Sequence, residues 1–257
     1  MDLQEILKQL GETFLDWNAM GEVIPKMFAV GLPNTLVLAV TSGIIGTLIG
    51  MVLALMGISR NPVARWIARI YTDVLRGLPA VLTILVIGLG FGPIIRQLTG
   101  STSPYPLAVA ALALMSGAYI GEIFRSGIQS VDKGQLEATR ALGFGYSASM
   151  RLVVVPQGIR RVLPALVNQF IALIKDSSLV FVLGVLASER EVFQIGKDLA
   201  ATSGNLSPYV AAGVFYLVMT IPLTHFVNWL DRRLRTGRPE KKEPDEAAAV
   251  VGKGAQA

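Results

Sequence analysis

Lys175-Asp176-Ser177-Ser178 interrupts an otherwise apolar stretch between Leu163 and Ala187. Neighbouring helical residues point about 100° apart, so Lys175 and Asp176 do not simply satisfy each other. Each needs a partner on another helix, in a water-filled path or on a bound solute, unless the group serves as polar glue between helices. Glu122 and Arg125 stand three residues apart at the end of a second apolar run, on one helical face, where they either pair locally or line such a path. Arg76 precedes Gly77-Leu78-Pro79. Proline removes a helix donor and glycine loosens the turn before it, so a break is expected there, beside a cation that contacts an anion or reaches the headgroups. Covalent chemistry has little to work with. There is no cysteine, His225 is the single histidine, and no Gly-x-x-x-x-Gly-Lys-Ser/Thr phosphate loop occurs. Thiolate, zinc and histidine-activated sites are therefore excluded, as is ATP hydrolysis by this chain. A serine-lysine dyad on Lys175, as in an intramembrane protease, is the remaining enzymatic reading. Gly88, Gly90 and Gly92 echo a nucleotide fingerprint but lie in an apolar run with no strand before them.

The elements that must position these groups are membrane helices. The chain of 257 residues is 52% hydrophobic and 16% charged, against about 25% charged in soluble domains. Residues 27–59, 77–95, 97–121 and 199–230 contain no Asp, Glu, Lys or Arg, and each reaches the roughly 20 residues that cross a bilayer core. With 163–187 they make five transmembrane helices and an all-α, multi-pass fold. Gly46-xxx-Gly50 gives the first span a small-residue face for close helix packing. Residues 1–27 form an amphipathic N-terminal segment, with Leu3, Ile6, Leu7 and Leu10 on one face of a short helix. The acidic start, Met1-Asp2-Leu3-Gln4-Glu5, lacks the basic region of a signal peptide. Residues 28–233 are the transmembrane domain, and the Lys- and Glu-containing, Ala-rich 234–257 reads as a disordered tail.

Between the third and fourth spans lies a charged insertion, about 131–164. Glu137-Ala138-Thr139-Arg140-Ala141-Leu142 favours helix, Gly143-Phe144-Gly145 breaks it, and Tyr146 to Val153 resumes as a second short helix expected to stop at Pro156. Two short helices with Phe144 and Tyr146 near the corner make an aromatic knob suited to a groove in a soluble partner. Most of the 23 Lys and Arg residues fall on the side of this insertion or in the tail. The positive-inside rule then places the insertion and C-terminus in the cytoplasm and the N-terminus outside. The net charge of +5 is accounted for by topology, with no need for nucleic acid.

These strings resemble a known family. Glu137-Ala138-Thr139 with Gly143, followed by Val153-Val154-Val155-Pro156, resembles the EAA loop of ABC importer permeases. Arg76-Gly77-Leu78-Pro79 is similar to the family's Arg-Gly-Thr-Pro. Tyr119 to Val131 resembles its third-span signature, and Pro156-Gln157 through Lys175-Asp176-Ser177-Ser178-Leu179 the approach to its fourth span. Together they cover about residues 28–233 and look like a polar amino-acid permease of the general amino-acid, glutamine and histidine uptake type. Thr139, Val153 and Val155 depart conservatively. Leu78 replaces a hydroxyl residue, which bears on substrate range more than on function.

The resemblance implies the type I ABC importer permease fold in the bacterial inner membrane. It implies a second permease subunit, identical or paralogous, and an external solute-binding protein. ATPase subunits, which carry the ATP and magnesium, would couple through Glu137, Ala138, Thr139, Arg140, Gly143, Phe144, Gly145 and Tyr146. No cofactor or metal is expected on this chain. A polar amino acid would follow a path lined by Arg76, Leu78, Glu122, Lys175, Asp176, Ser177 and Ser178. In that path Lys175, Ser177 and Arg76 would face the carboxylate, and Asp176 and Glu122 the ammonium. The alternatives are a permease for another small zwitterion, such as an opine, an osmolyte or a sulfur amino acid, and a passive channel.

Overall fold

Where residues 1–26 predict one amphipathic helix, the computed structural model, which describes residues 2–235, has two. Helix α1 (Leu3–Phe14) buries none of its residues. The Asp16 carboxylate then accepts from the Asn18 and Ala19 N–H groups at 2.9 and 3.4 Å and opens α2 (Trp17–Lys26). An acidic N-cap that satisfies orphan donors of a new helix explains the break. Helix α2 is more than an anchor. Its Met20 and Val23, with Met27, are buried against Val192, Ile195, Ala211 and Ala212.

Five segments are long and apolar enough to cross a membrane. The first continues from α2 through a π turn, Met27–Gly31, into α3 (Leu32–Gly57). The second divides as expected. Helix α4 (Pro62–Gly77) ends, Leu78 is extended (φ −83°, ψ 143°), and α5 (Ala80–Thr99) begins after Pro79. Helix α6 (Tyr105–Gln129) is the third span and the most buried.

After the short helix α7 (Lys133–Ala141), the chain enters α8 (Tyr146–Ser149), a second π turn (Met150–Val154) and α9 (Val155–Asp176) without interruption. Pro156 therefore does not stop the helix. In both π turns a proline follows two residues after the turn, Pro33 and Pro156, and the preceding residue bonds five back: Leu32 N–H to Met27 O, Val155 N–H to Met150 O. The wider turn gives room where the proline ring would otherwise strike a carbonyl of the preceding turn. Helix α9 passes into a 3-10 turn, Ser177–Leu183, ended by Gly184 in the left-handed region. Helix α10 (Val192–Ser203) follows, then α11 (Ser207–Arg235), the fifth span. The expected tail beyond residue 235 lies outside the described residues.

The most extensive helix contact is α3 on α6. Gly46 and Gly50 face Gly117 and Gly121. A Cβ on Gly50 would sit 2.8 Å from the Gly121 nitrogen, and one on Gly117 would sit 2.7 Å from Ile49. The small-residue motif of the first span thus meets a second one on α6, and backbone packs on backbone. The main core joins α3, α5, α6, α9 and the 3-10 turn through Leu38, Ile84, Leu112, Leu173, Ile174 and Val180. It fixes where the polar segment after α9 can lie.

Candidate functional site: an exposed elbow and two polar clusters

The elbow is built by α7 and the turn after it. Asp132 caps α7 by accepting from Gly134 N–H at 2.7 Å. At the other end Leu142 N–H returns to Ala138 O, Gly143 N–H to Arg140 O and Phe144 N–H to Thr139 O. Gly143 has φ +88°, and only glycine takes this left-handed position without strain. Space is not the constraint, since a Cβ there would meet nothing within 4 Å. Glu137, Ala138, Arg140, Gly143 and Gly145 are exposed, as are Leu142 (77%) and Phe144 (46%). Thr139 turns its hydroxyl back to Leu136 O at 2.9 Å. Tyr146 is half-buried under Arg60, whose guanidinium carbon lies 4.7 Å from the ring centre. The knob predicted at Phe144 and Tyr146 is instead formed by Leu142 and Phe144, with Tyr146 tied to the base of α4.

Near the elbow, α6 and α4 bring charges together. Arg125 donates through Nε and Nη2 to the two Glu122 oxygens at 2.9 and 2.6 Å. Arg76 Nη1 lies 3.9 Å from Glu122 Oε2, and its guanidinium lies over the Tyr119 ring at 5.3 Å. Glu122 thus pairs locally and also ties the end of α4 to α6. Arg76 has specific partners rather than merely reaching to the headgroups.

The other predicted path residues are not joined to this cluster. Lys175 is exposed and Asp176 half-buried, and neither has an ion-pair partner within 4 Å among the described residues. Ser177 and Ser178 donate to Ile174 O and Lys175 O at 2.7 and 2.6 Å, marking the change from α to 3-10 geometry. The segment lies towards the far end of its helix, because the continuous helical stretch that contains the fourth span begins at Tyr146. Leu78 is exposed between α4 and α5.

Glu191, which the sequence places in the loop between the fourth and fifth spans, is fully buried. Its carboxylate caps α10, accepting from Phe193 and Gln194 N–H at 2.6 Å each and from Tyr216 OH at 2.9 Å. Burial pushes its pKa up from 4.5 to about 7, against the lowering effect of these three donors. Val192 N–H also donates to Thr35 Oγ1 at 3.3 Å, so α3, α10 and α11 meet at one node. Glutamate is an uncommon N-cap, which left this residue without a signal in the sequence.

Residues 46–236 match the family model for the binding-protein-dependent transport system inner membrane component. The chain belongs to this family. Among its relatives, the arginine transport system permease protein ArtQ of Bacillus subtilis (strain 168) is 40% identical over 223 residues, covering 86% of this chain and 98% of the relative. The glutamate/aspartate import permease protein GltK of Escherichia coli O157:H7 is 32% identical, covering 85% and 97%. A crystal structure of an amino acid ABC transporter with histidines contains a chain 33% identical to this one, with a TM-score of 0.73, covering 85% and 99%. The methionine ABC transporter MetNI, 20% identical with a TM-score of 0.64 and covering 81% and 95%, shares the fold. The protein is thus a multi-pass inner-membrane permease subunit of an ABC importer and not itself an enzyme. Its family works with ATPase and binding-protein partners.

Proposed function

We propose that this permease imports polar amino acids handed over by an external binding protein, driven by a separate ATPase docked on the 137–156 elbow. A second permease subunit, identical or paralogous, completes the path. The elbow side faces the cytoplasm, in keeping with the positive-inside rule. One observation carries the coupling reading: from Tyr146 to Leu183 the second arm of the elbow and the polar segment belong to one helical unit of 38 residues. A push on the elbow is delivered along a rigid rod to Lys175, Asp176, Ser177 and Ser178.

Amino acids as the substrate class are supported by the relatives named for arginine and for glutamate/aspartate import. A zwitterion needs a cation for its carboxylate and a carboxylate for its ammonium. Lys175 and Asp176, which have no ion-pair partner within 4 Å among the described residues, offer both. Arg76 and Glu122 form a further such pair nearer the elbow, where Leu78 leaves the break between α4 and α5 without a hydroxyl.

The test is ATP-dependent uptake into vesicles carrying the permease with its ATPase and binding protein, using a panel of labelled polar amino acids. Uptake of one class, lost in Gly143→Asp, is the expected result. An intact assembly that takes up none of the panel removes amino acids as the substrate class. Conduction without ATP points to a channel. Asp176→Asn with unchanged rate and substrate spectrum removes Asp176 from the path.

A further inference from the structure

Helix α4 has two working faces. Val63, Trp66, Ile67, Ile70 and Val74 recur at helical spacing and are all exposed. On the other side a cleft of about 460 Å³ lies between α4, the end of α3 and α6. It is lined by four guanidinium groups, Arg65, Arg69, Arg76 and Arg125, against two carboxylates, Asp73 and Glu122. Glu122 is already held by Arg125 and approached by Arg76. Arg65 and Arg69 have no carboxylate oxygen within 4 Å among the described residues. Two like charges at this four-residue spacing repel unless an anion joins them.

We propose that Arg65 and Arg69, in the part of the cleft at the start of α4 and away from Arg76 and Glu122, bind the phosphate of an anionic phospholipid, whose acyl chains lie along the apolar stripe of α4. Guanidinium forks match phosphate oxygens, and basic pockets between membrane helices suit anionic headgroups. A soluble anion would use the arginines alone. Only an amphiphile uses both the charged cleft and the apolar face beside it, and Trp66, 65% exposed, belongs to both. The indole is the kind of side chain that settles at a membrane interface. Arg60, one turn before the cleft, stacks on Tyr146, so the lipid would steady the same end of the bundle as the elbow. With the elbow read as cytoplasmic the lipid belongs to the inner leaflet; that placement rests on the proposed function, whereas the binding itself does not.

The experiment uses the full-length permease assembled with its ATPase in nanodiscs of phosphatidylcholine containing increasing phosphatidylglycerol. Lipids retained after a detergent wash are counted by native mass spectrometry, which requires no transport activity. The wild type is expected to retain phosphatidylglycerol preferentially. Arg65→Gln and Arg69→Gln should each weaken retention about five-fold, with the double lysine variant between wild type and the double glutamine variant. Equal retention in the double glutamine variant overturns the proposal. Displacement of the lipid by millimolar inorganic phosphate overturns it in favour of a soluble anion. Should the variants fail to assemble, thermal unfolding of the wild type in micelles decides: stabilisation by phosphatidylglycerol over phosphatidylcholine supports the site, and identical curves reject it.

Discussion

Glu122 and Glu191 are both carboxylates in a membrane bundle, at opposite ends and held by opposite means. Glu122 is partly open to solvent and is matched by the fork of Arg125 with Arg76 close by. Glu191 is sealed from solvent with no ion-pair partner among the described residues, held by two backbone N–H groups and one phenol. A charge near water can be balanced by another mobile charge at little net gain. A buried one is costly unless donors satisfy it, and it responds by shifting its protonation. The first arrangement suits a contact that must rearrange, the second a joint that must not.

The comparison can be tested by pH first. A carboxyl that titrates near 4.5 when unfolded and near 7 when folded makes the native state bind more protons between those values. Its contribution is fully present below pH 4.5 and is lost as pH rises through 7, a loss of about 3 kcal/mol at roughly 1.4 kcal/mol per pH unit. Melting temperature measured from pH 4.5 to 8 should fall over this window. A flat profile would mean that Glu191 is hydrated and no different in kind from Glu122.

Glu191→Ala comes next. At pH 5 it strips the cap of α10 and takes away the acceptor of the Tyr216 hydroxyl, for a loss of about 2 kcal/mol. At pH 8 the loss should shrink, because the burial cost of the carboxylate goes with it. The same variant melted at both pH values separates these two contributions, and equal losses would remove the titration from the account.

Glu122→Gln should cost less than about 1 kcal/mol in the same assay, as partly exposed ion pairs do. A loss as large as that of Glu191→Ala would erase the distinction between the two ends. Unchanged melting with uptake reduced more than about ten-fold, or roughly 1.4 kcal/mol in transport, would assign Glu122 to the path rather than to packing. The smallest effect belongs to Arg60→Ala, which removes the stacking on Tyr146 and should lower stability by about 0.5 kcal/mol.

Much of this was legible in order along the chain. Charge-free runs marked the spans because a bilayer core imposes length and polarity directly on sequence. The break at Gly77-Leu78-Pro79 and the turn at Gly143 were legible because proline and glycine act on their own backbone. The Glu122–Arg125 pair followed from helical spacing. Pro156 misled, since its cost was removed by a π turn that no local rule announces. The N-terminal break at Asp16 was carried by a single cap residue within a stretch whose apolar periodicity suggested continuity.

The sequence by itself determined a five-span membrane protein with an exposed, glycine-hinged elbow, because those features depend on composition, period and local backbone freedom; the permease role came from the resemblance of its strings to a family. Only the tertiary structure decided which polar groups meet. It placed Arg76 on Glu122 rather than on Lys175 and Asp176. It gathered Arg65 and Arg69 with Arg76 and Arg125 around one cleft. It set Glu191 from one helix end against Tyr216 from the last span, 25 residues away. These contacts depend on how helices cross and on which faces they bury, and a one-dimensional pattern records each face without recording its neighbour.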